Sequence, residues 1–169
     1  MKIIKYPKIF LLLIMVLPWM TIPLLKNRDL KRFLPTALFS VWMVQRVNVM
    51  AKKRKWWWWY VQLIPNATGV IPFMWGPFFV GSLWILKWTF GKLNQYIMIN
   101  FGAHFLFTYI VVPYLTKFGL ASLVRMKKIQ LMLVFTVLDS LLYIFQIIRE
   151  KLIPLDDGVK DLKPISLEE

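Results

Sequence analysis

Three residues of this sequence combine a reactive type with an unusual setting: Asp139, His104 and Arg46 each lie inside a long apolar stretch. An ionisable group at a bilayer centre costs about 2.5 to 3.5 kcal/mol on insertion scales, so such residues mark function or a specific partner. Asp139 falls near the middle of 129–148, His104 near the middle of 96–115, and Arg46 within 33–51, toward its Lys52 end. Brought to one depth in a helical bundle they form a polar cluster with Asn100, which Asn48, Gln45 and Gln146 can extend. Two roles fit such a cluster. An Asp–His pair whose imidazole titrates near neutrality relays protons or couples a solute to a gradient. Alternatively, Asp139 pairs with Arg46 or His104 only to hold helices together, or keeps its proton.

Other chemistries are excluded or unsupported. With no cysteine, the chain has no disulfide, thiolate metal site, thiol nucleophile or lipidated cysteine. One histidine cannot supply a His-rich zinc site within a single chain, and neither an H-E-x-x-H nor a P-loop pattern occurs. Ser82 has no second glycine after it in the hydrolase-elbow sense, and Ser140 beside Asp139 faces a different way on a helix. Asp156-Asp157-Gly158 lacks calcium-loop spacing and reads as a turn. Asn66-Ala67-Thr68 matches a glycosylation acceptor, a pattern common by chance. No catalytic residue, metal ligand or cofactor is assigned.

The elements that must position the cluster are set by composition. Of 169 residues, 59% are hydrophobic and 17% aromatic, with a mean hydropathy of +0.58. A small soluble domain buries only about 60 to 70% of the surface its unfolded chain exposes, so this much apolar surface calls for lipid. Five apolar segments are candidates to cross: 9–25, 33–51, 70–90, 96–115 and 129–148, the last three being the strongest. Continuous runs such as Leu131-Met132-Leu133-Val134-Phe135 do not alternate, which favours helices over a barrel. Segment 9–25 is short and carries Pro18 and Pro23, so it spans with a kink or turns back, while Gln45, Arg46 and Asn48 weaken segment 33–51. Pro72, Gly76, Pro77, Gly81 and Ser82 interrupt 70–86, which predicts a kinked helix packed closely on a neighbour. A transporter-like broken helix would want a matching break in a second half, and none is clear. The basic start at Lys2, Lys5 and Lys8 resembles a secretory signal, but Pro18-Trp19-Met20-Thr21 offers no cleavage site, so a retained first span is expected.

The 22 Lys and Arg against 8 Asp and Glu give a formal charge of +14. The cations form short clusters beside apolar runs, at Lys26 to Arg32, Lys52 to Lys55 and Arg125 to Lys128, which suits anionic lipid headgroups rather than nucleic acid. The run Lys52, Lys53, Arg54, Lys55, Trp56, Trp57, Trp58, Trp59, Tyr60 reads as a membrane-surface anchor. Cation–π capture of quaternary-ammonium lipids or base stacking are the sharper readings of the same run. With five spans the basic residues divide about 11 against 10 between the two sides, or about 11 against 8 without Lys160 and Lys163, a small tilt toward an inside N-terminus. From Arg149 to Glu169 the chain turns polar and acidic, as an aqueous tail would.

Lys31-Arg32-Phe33-Leu34-Pro35 within Leu30 to Leu38, Trp75-Gly76-Pro77-Phe78-Phe79 followed by Gly81 to Leu86, and Ala121-Ser122-Leu123-Val124-Arg125 resemble small uncharacterised multi-spanning proteins of Bacillus-type Gram-positive bacteria. The resemblance implies roughly five helices and a bacterial plasma membrane. It supplies no activity and no catalytic residue.

The expectation is an all-α, polytopic transmembrane bundle of four to five spans over 1–148, with an interfacial basic/aromatic segment and a polar tail over 149–169. Function is expected to be a non-enzymatic structural, sensory or accessory role, acting through lipid, self-association or a membrane partner. The alternative is a small ion-coupled carrier using Asp139, His104 and Arg46, and a membrane enzyme on lipid substrates comes third.

Overall fold

The structure, a computed structural model, describes residues 6–64 and 68–153. They form five helices and a two-stranded ribbon. Helix α1 is Pro7–Trp19, α2 is Asn27–Arg54, α3 covers 71–89, α4 is Leu93–Lys117, and α5 is Lys128–Leu152. Strands β1 (Trp57–Trp59) and β2 (Ala121–Leu123) pair antiparallel. Successive helices run in opposite directions. Phe33 of α2 meets Phe90 beyond α3, Tyr96 of α4 meets Tyr143 of α5, and Thr36 of α2 bonds Gln146 of α5.

Among the described residues three segments are long and apolar enough to cross a membrane: Pro7–Leu24, Leu93–Lys117 and Lys128–Leu152. The short first segment is therefore among them, and the expected strong segment 70–90 is not. The reason lies in the position of α3. It is the central helix, with Phe73, Met74, Phe79, Val80, Leu83 and Leu86 buried among its neighbours, whereas α1 buries Leu11 alone. A helix sheltered by others can carry Trp, Pro, Gly and Ser that lower its hydropathy. Pro18 lies in the last turn of α1. The helix stops at Trp19, and Ile22–Leu24 adds one 3-10 turn.

Proline and glycine shape the other helices. Within α3, Met74–Phe78 is π-helical, and the Phe79 N–H reaches back to the Met74 carbonyl. Pro77 has no N–H to give, and one extra residue in the turn relieves its clash with the preceding carbonyls. In α4 the π segment Phe107–Val111 comes just before Pro113, for the same reason. Gly76 lets α1 cross α3 in backbone contact, since a Cβ there would stand 2.3 Å from the Ile14 carbonyl oxygen.

Two helix ends create the ribbon. Lys55 (φ 53°) and Gly119 (φ 68°) both adopt the left-handed conformation, and Trp56 N–H bonds Ala51 O as Leu120 N–H bonds Leu115 O. Each cap satisfies its helix's last carbonyls and redirects the chain into a strand. The opposite end is tied by charge. Arg32 donates from Nε and Nη2 to both oxygens of Glu150 at 2.6 and 2.8 Å, and Gln146 donates to the same carboxylate at 2.7 Å. Arg149 and Glu150 thus belong to α5 rather than to a tail, and residues 154–169 lie outside the described residues.

Gly76→Ala forces backbone against backbone, so it should lower unfolding stability by about 1–3 kcal/mol. Gly102→Ala, where an added Cβ meets nothing within 4 Å, should be neutral or gain up to about 1 kcal/mol. Thermal or denaturant unfolding of the two purified variants checks this, and equal stability would show that α1 does not dock at Gly76.

Candidate functional site

Tyr96, Asn100, His104 and Phe107 recur at helical spacing along α4 and share the face that meets α3 and α5. Phe135, Asp139 and Leu142 answer them from α5. His104 Nε2 bonds directly to Asp139 Oδ2, and the imidazole stacks on Phe135 with ring centroids 4.8 Å apart. The two side chains are 11% and 19% exposed, and Asp139 makes no ion pair with a Lys or Arg among the described residues. Tyr96 donates its hydroxyl to the Asp139 backbone oxygen at 3.0 Å, an α-helical carbonyl that still has a free lone pair. One aspartate is therefore gripped twice by α4.

The pair lines a cavity of about 160 Å³ between α2, α3, α4 and α5. Its other polar residues are Ser40, Ser82, Tyr96 and Asn100, and the rest of the lining is apolar. Ser40 and Ser82 each satisfy their hydroxyl on a carbonyl of their own helix, at 2.7 and 2.8 Å, and approach one another to 3.4 Å. They present oxygen atoms without needing a partner. Asn100 does likewise, donating to the Tyr96 carbonyl at 2.9 Å and leaving its side-chain oxygen free to accept. Pro77 and Ala103 are the exposed members of the lining, which puts the mouth between α3 and α4. Both π segments border it: Phe78 and Phe107 meet edge to face at 6.3 Å and close it toward the ribbon.

Of the residues singled out from the sequence, the fold brings His104, Asp139 and Asn100 to one cavity. Arg46 does not join them. It is exposed, with its guanidinium 5.1 Å from the Trp42 ring centroid. The cause is helical phase: Ser40, Met43 and Val44 occupy the cavity face of α2, and Arg46 falls outside it. Gln146 is used elsewhere, between Thr36 and Glu150. Asn48 accepts from Trp57 Nε1 at 3.2 Å, while Gln45 keeps a buried oxygen without a partner.

The basic/aromatic run is divided among three structures. Lys52, Lys53 and Arg54 end α2, Lys55 is the left-handed cap, and Trp57 to Trp59 form β1. In strand geometry the rings alternate, so Trp58 and Tyr60 are 48% and 59% exposed while Trp59 packs on Phe73 at 5.3 Å. Six of the nine residues of the expected surface anchor are exposed, and Trp56, Trp57 and Trp59 are partly buried. Ser40, Ser82 and Tyr96 were not legible as site residues, though Tyr96, Asn100 and His104 at four-residue intervals carried the signal.

Removing one member of the pair should cost about 1–3 kcal/mol by leaving the other buried and unpaired. His104→Leu and Asp139→Leu together should cost clearly less than the sum of the two singles. A double-mutant cycle on unfolding free energies measures this coupling, and strict additivity would mean that the contact contributes nothing. No protein-family model matches the chain, and no significantly similar curated protein or solved structure was found, so neither family nor fold neighbour bears on this site.

Proposed function

We propose that this chain is an integral protein of a bacterial plasma membrane that crosses it five times, and that it acts as a small proton-coupled carrier. The observation carrying this reading is the His104–Asp139 pair on the wall of a laterally open cavity. An accessory or structural protein needs no such cavity, so the space beside the pair favours the carrier over the accessory role expected from sequence.

Five crossings are supported by the antiparallel run of the helices and by their lengths. Even α3, at 71–89, rises about 28 Å, close to the hydrocarbon thickness of about 30 Å. Exposed Ile97, Met98, Phe101, Phe105, Leu133 and Val137 then face lipid. The Lys52 to Lys55 and Arg125 to Lys128 clusters sit at one membrane surface, and Lys26 to Arg32, Lys87 and Lys92 at the other.

The carrier mechanism follows from the site's own groups. Gain or loss of a proton changes which atoms of the imidazole–carboxylate pair donate and which accept, so each state presents a different donor and acceptor set. The solute class is set by the lining. It is small, since a cavity of about 150 Å³ holds a benzene-sized molecule. It is largely apolar, with one polar group that replaces the bond His104 and Asp139 otherwise make to each other. Entry between Pro77 and Ala103 admits it from the bilayer side.

Everted membrane vesicles holding a pH gradient test the proposal. Addition of pooled small amines and weak acids should collapse the gradient faster in vesicles containing the protein than in empty ones. Asp139→Asn should abolish the difference at unchanged protein content. If that substitution only lowers the amount of protein in the membrane, or no solute distinguishes the vesicles, the residue is structural and the carrier reading fails.

A further inference from the structure

At the ribbon end, well away from His104 and Asp139, three residues lining one pocket each keep a buried polar atom without a hydrogen-bond partner. They are Asn48 Nδ2, Trp59 Nε1 and Thr68 Oγ1. Unpaired buried polar atoms are few in folded proteins, and each such atom costs about 1–3 kcal/mol, so three around one space ask for a ligand. The pocket measures about 90 Å³, room for about three waters or one tetrahedral oxyanion. Its remaining lining comprises Lys52, Trp57, Trp58, Gln62 and Gly69.

The chemistry of the orphaned atoms defines what fits. An indole N–H only donates, and so does an amide nitrogen. The orientation of the Asn48 amide is fixed, because Trp57 Nε1–H is itself a donor and must face the side-chain oxygen, which it does at 3.2 Å. The NH₂ is therefore the end left over. Asn48 is only 3% exposed, which makes its free donor the costliest of the three. The Thr68 hydroxyl can donate as well. Lys52 adds a full positive charge and takes part in none of the ion pairs among the described residues.

The pocket is built rather than accidental. Gly69 presses the Thr68–Gly69 turn onto Trp59, where a Cβ would stand 2.5 Å from Trp59 Cβ and 2.9 Å from the Val61 carbonyl oxygen. The Lys55 cap and the pairing of β1 with β2 hold Trp57 and Trp59 on the same inward face of the strand. Among the described residues no Asp or Glu stands at this pocket: none occurs between Asp29 and Asp139, those two lie at the far end and in the middle of the bundle, and Glu150 is held by Arg32.

We propose that this pocket binds a phosphate oxyanion, with Asn48, Trp59 and Thr68 donating to its oxygens and Lys52 supplying charge. The phosphate belongs either to an anionic lipid headgroup or to free inorganic phosphate. This assignment does not depend on the carrier reading, because it uses none of the residues of that site.

Calorimetric titration of the full-length protein in a neutral detergent tests it, with inorganic phosphate in one arm and a short-chain phosphatidylglycerol below its micellar concentration in the other. One saturable site is expected, weakened about tenfold or more by Lys52→Gln and by Thr68→Val. Lys52 is exposed, and Val replaces an unpaired hydroxyl, so both variants should fold. Binding in the phosphate arm assigns the free ion, and binding in the lipid arm alone assigns the headgroup. Both results support the site. No binding in either arm, or binding that both substitutions leave unchanged, overturns it, the second outcome showing only diffuse attraction to Lys53, Arg54 and Lys55.

Discussion

Between α4 and α5 an imidazole and a carboxylate meet in apolar surroundings, and neither has another charged partner among the described residues. An ionisable side chain in such a place must be paired or neutral, so the contact fixes which faces of the two helices look at each other. Tyr96 strengthens the same register two turns away by bonding the Asp139 carbonyl and packing its ring at a tilt against Tyr143. With α4 and α5 set this way, Asn100 and Phe107 turn toward α3, and the space between them becomes the cavity. Remove the pair and α4 loses its ionisable contact to α5, keeping the Tyr96 bond to the Asp139 carbonyl.

The cavity exists because α3 and α4 cannot be smooth cylinders. Each contains a proline that its own helix must accommodate, and each answers with a π segment whose aromatic residue projects inward. Phe78 and Phe107 meet there and keep the two helices apart on the far side of the contact, where Gly81 and Ala103 are too small to fill the gap. The ends of the bundle supply the rigidity this requires. At one end the ribbon joins the termini of α2 and α4, and at the other Glu150 holds Arg32 in a two-pronged bond while Lys87 approaches Asp29 at 3.8 Å.

Much of this was legible from residue types. Five helices followed from five apolar segments, although α2 extends well beyond 33–51 into polar sequence at both ends, and close packing at Gly76 from glycine and proline inside one of them. The nearness of His104, Asp139 and Asn100 followed from their shared depth. Depth, however, is only one coordinate: Arg46 falls at the wrong helical phase for the cavity, and a sequence alone fixes phase poorly once π segments shift the phase of neighbouring helices. The ribbon was hidden for another reason. Four consecutive tryptophans show no alternation, so nothing in their types reveals that Trp57 and Trp59 turn in while Trp58 turns out. The Arg32–Glu150 clamp joins positions 118 residues apart, a distance over which charge patterning is silent.

Everything proposed for the pair presumes that it sits at mid-depth in a bundle crossing five times, with the ribbon and the α3–α4 turn on opposite faces of the membrane. The absence of cysteine permits a direct measurement. Single cysteines at Lys55, Arg125, Lys26 and Lys92 can be labelled in intact cells and in everted vesicles with a membrane-impermeant maleimide. Five crossings require Lys55 and Arg125 to react from one side and Lys26 and Lys92 from the other. Labelling of Lys55 and Lys92 from the same side would contradict the arrangement and remove the pair from the membrane interior.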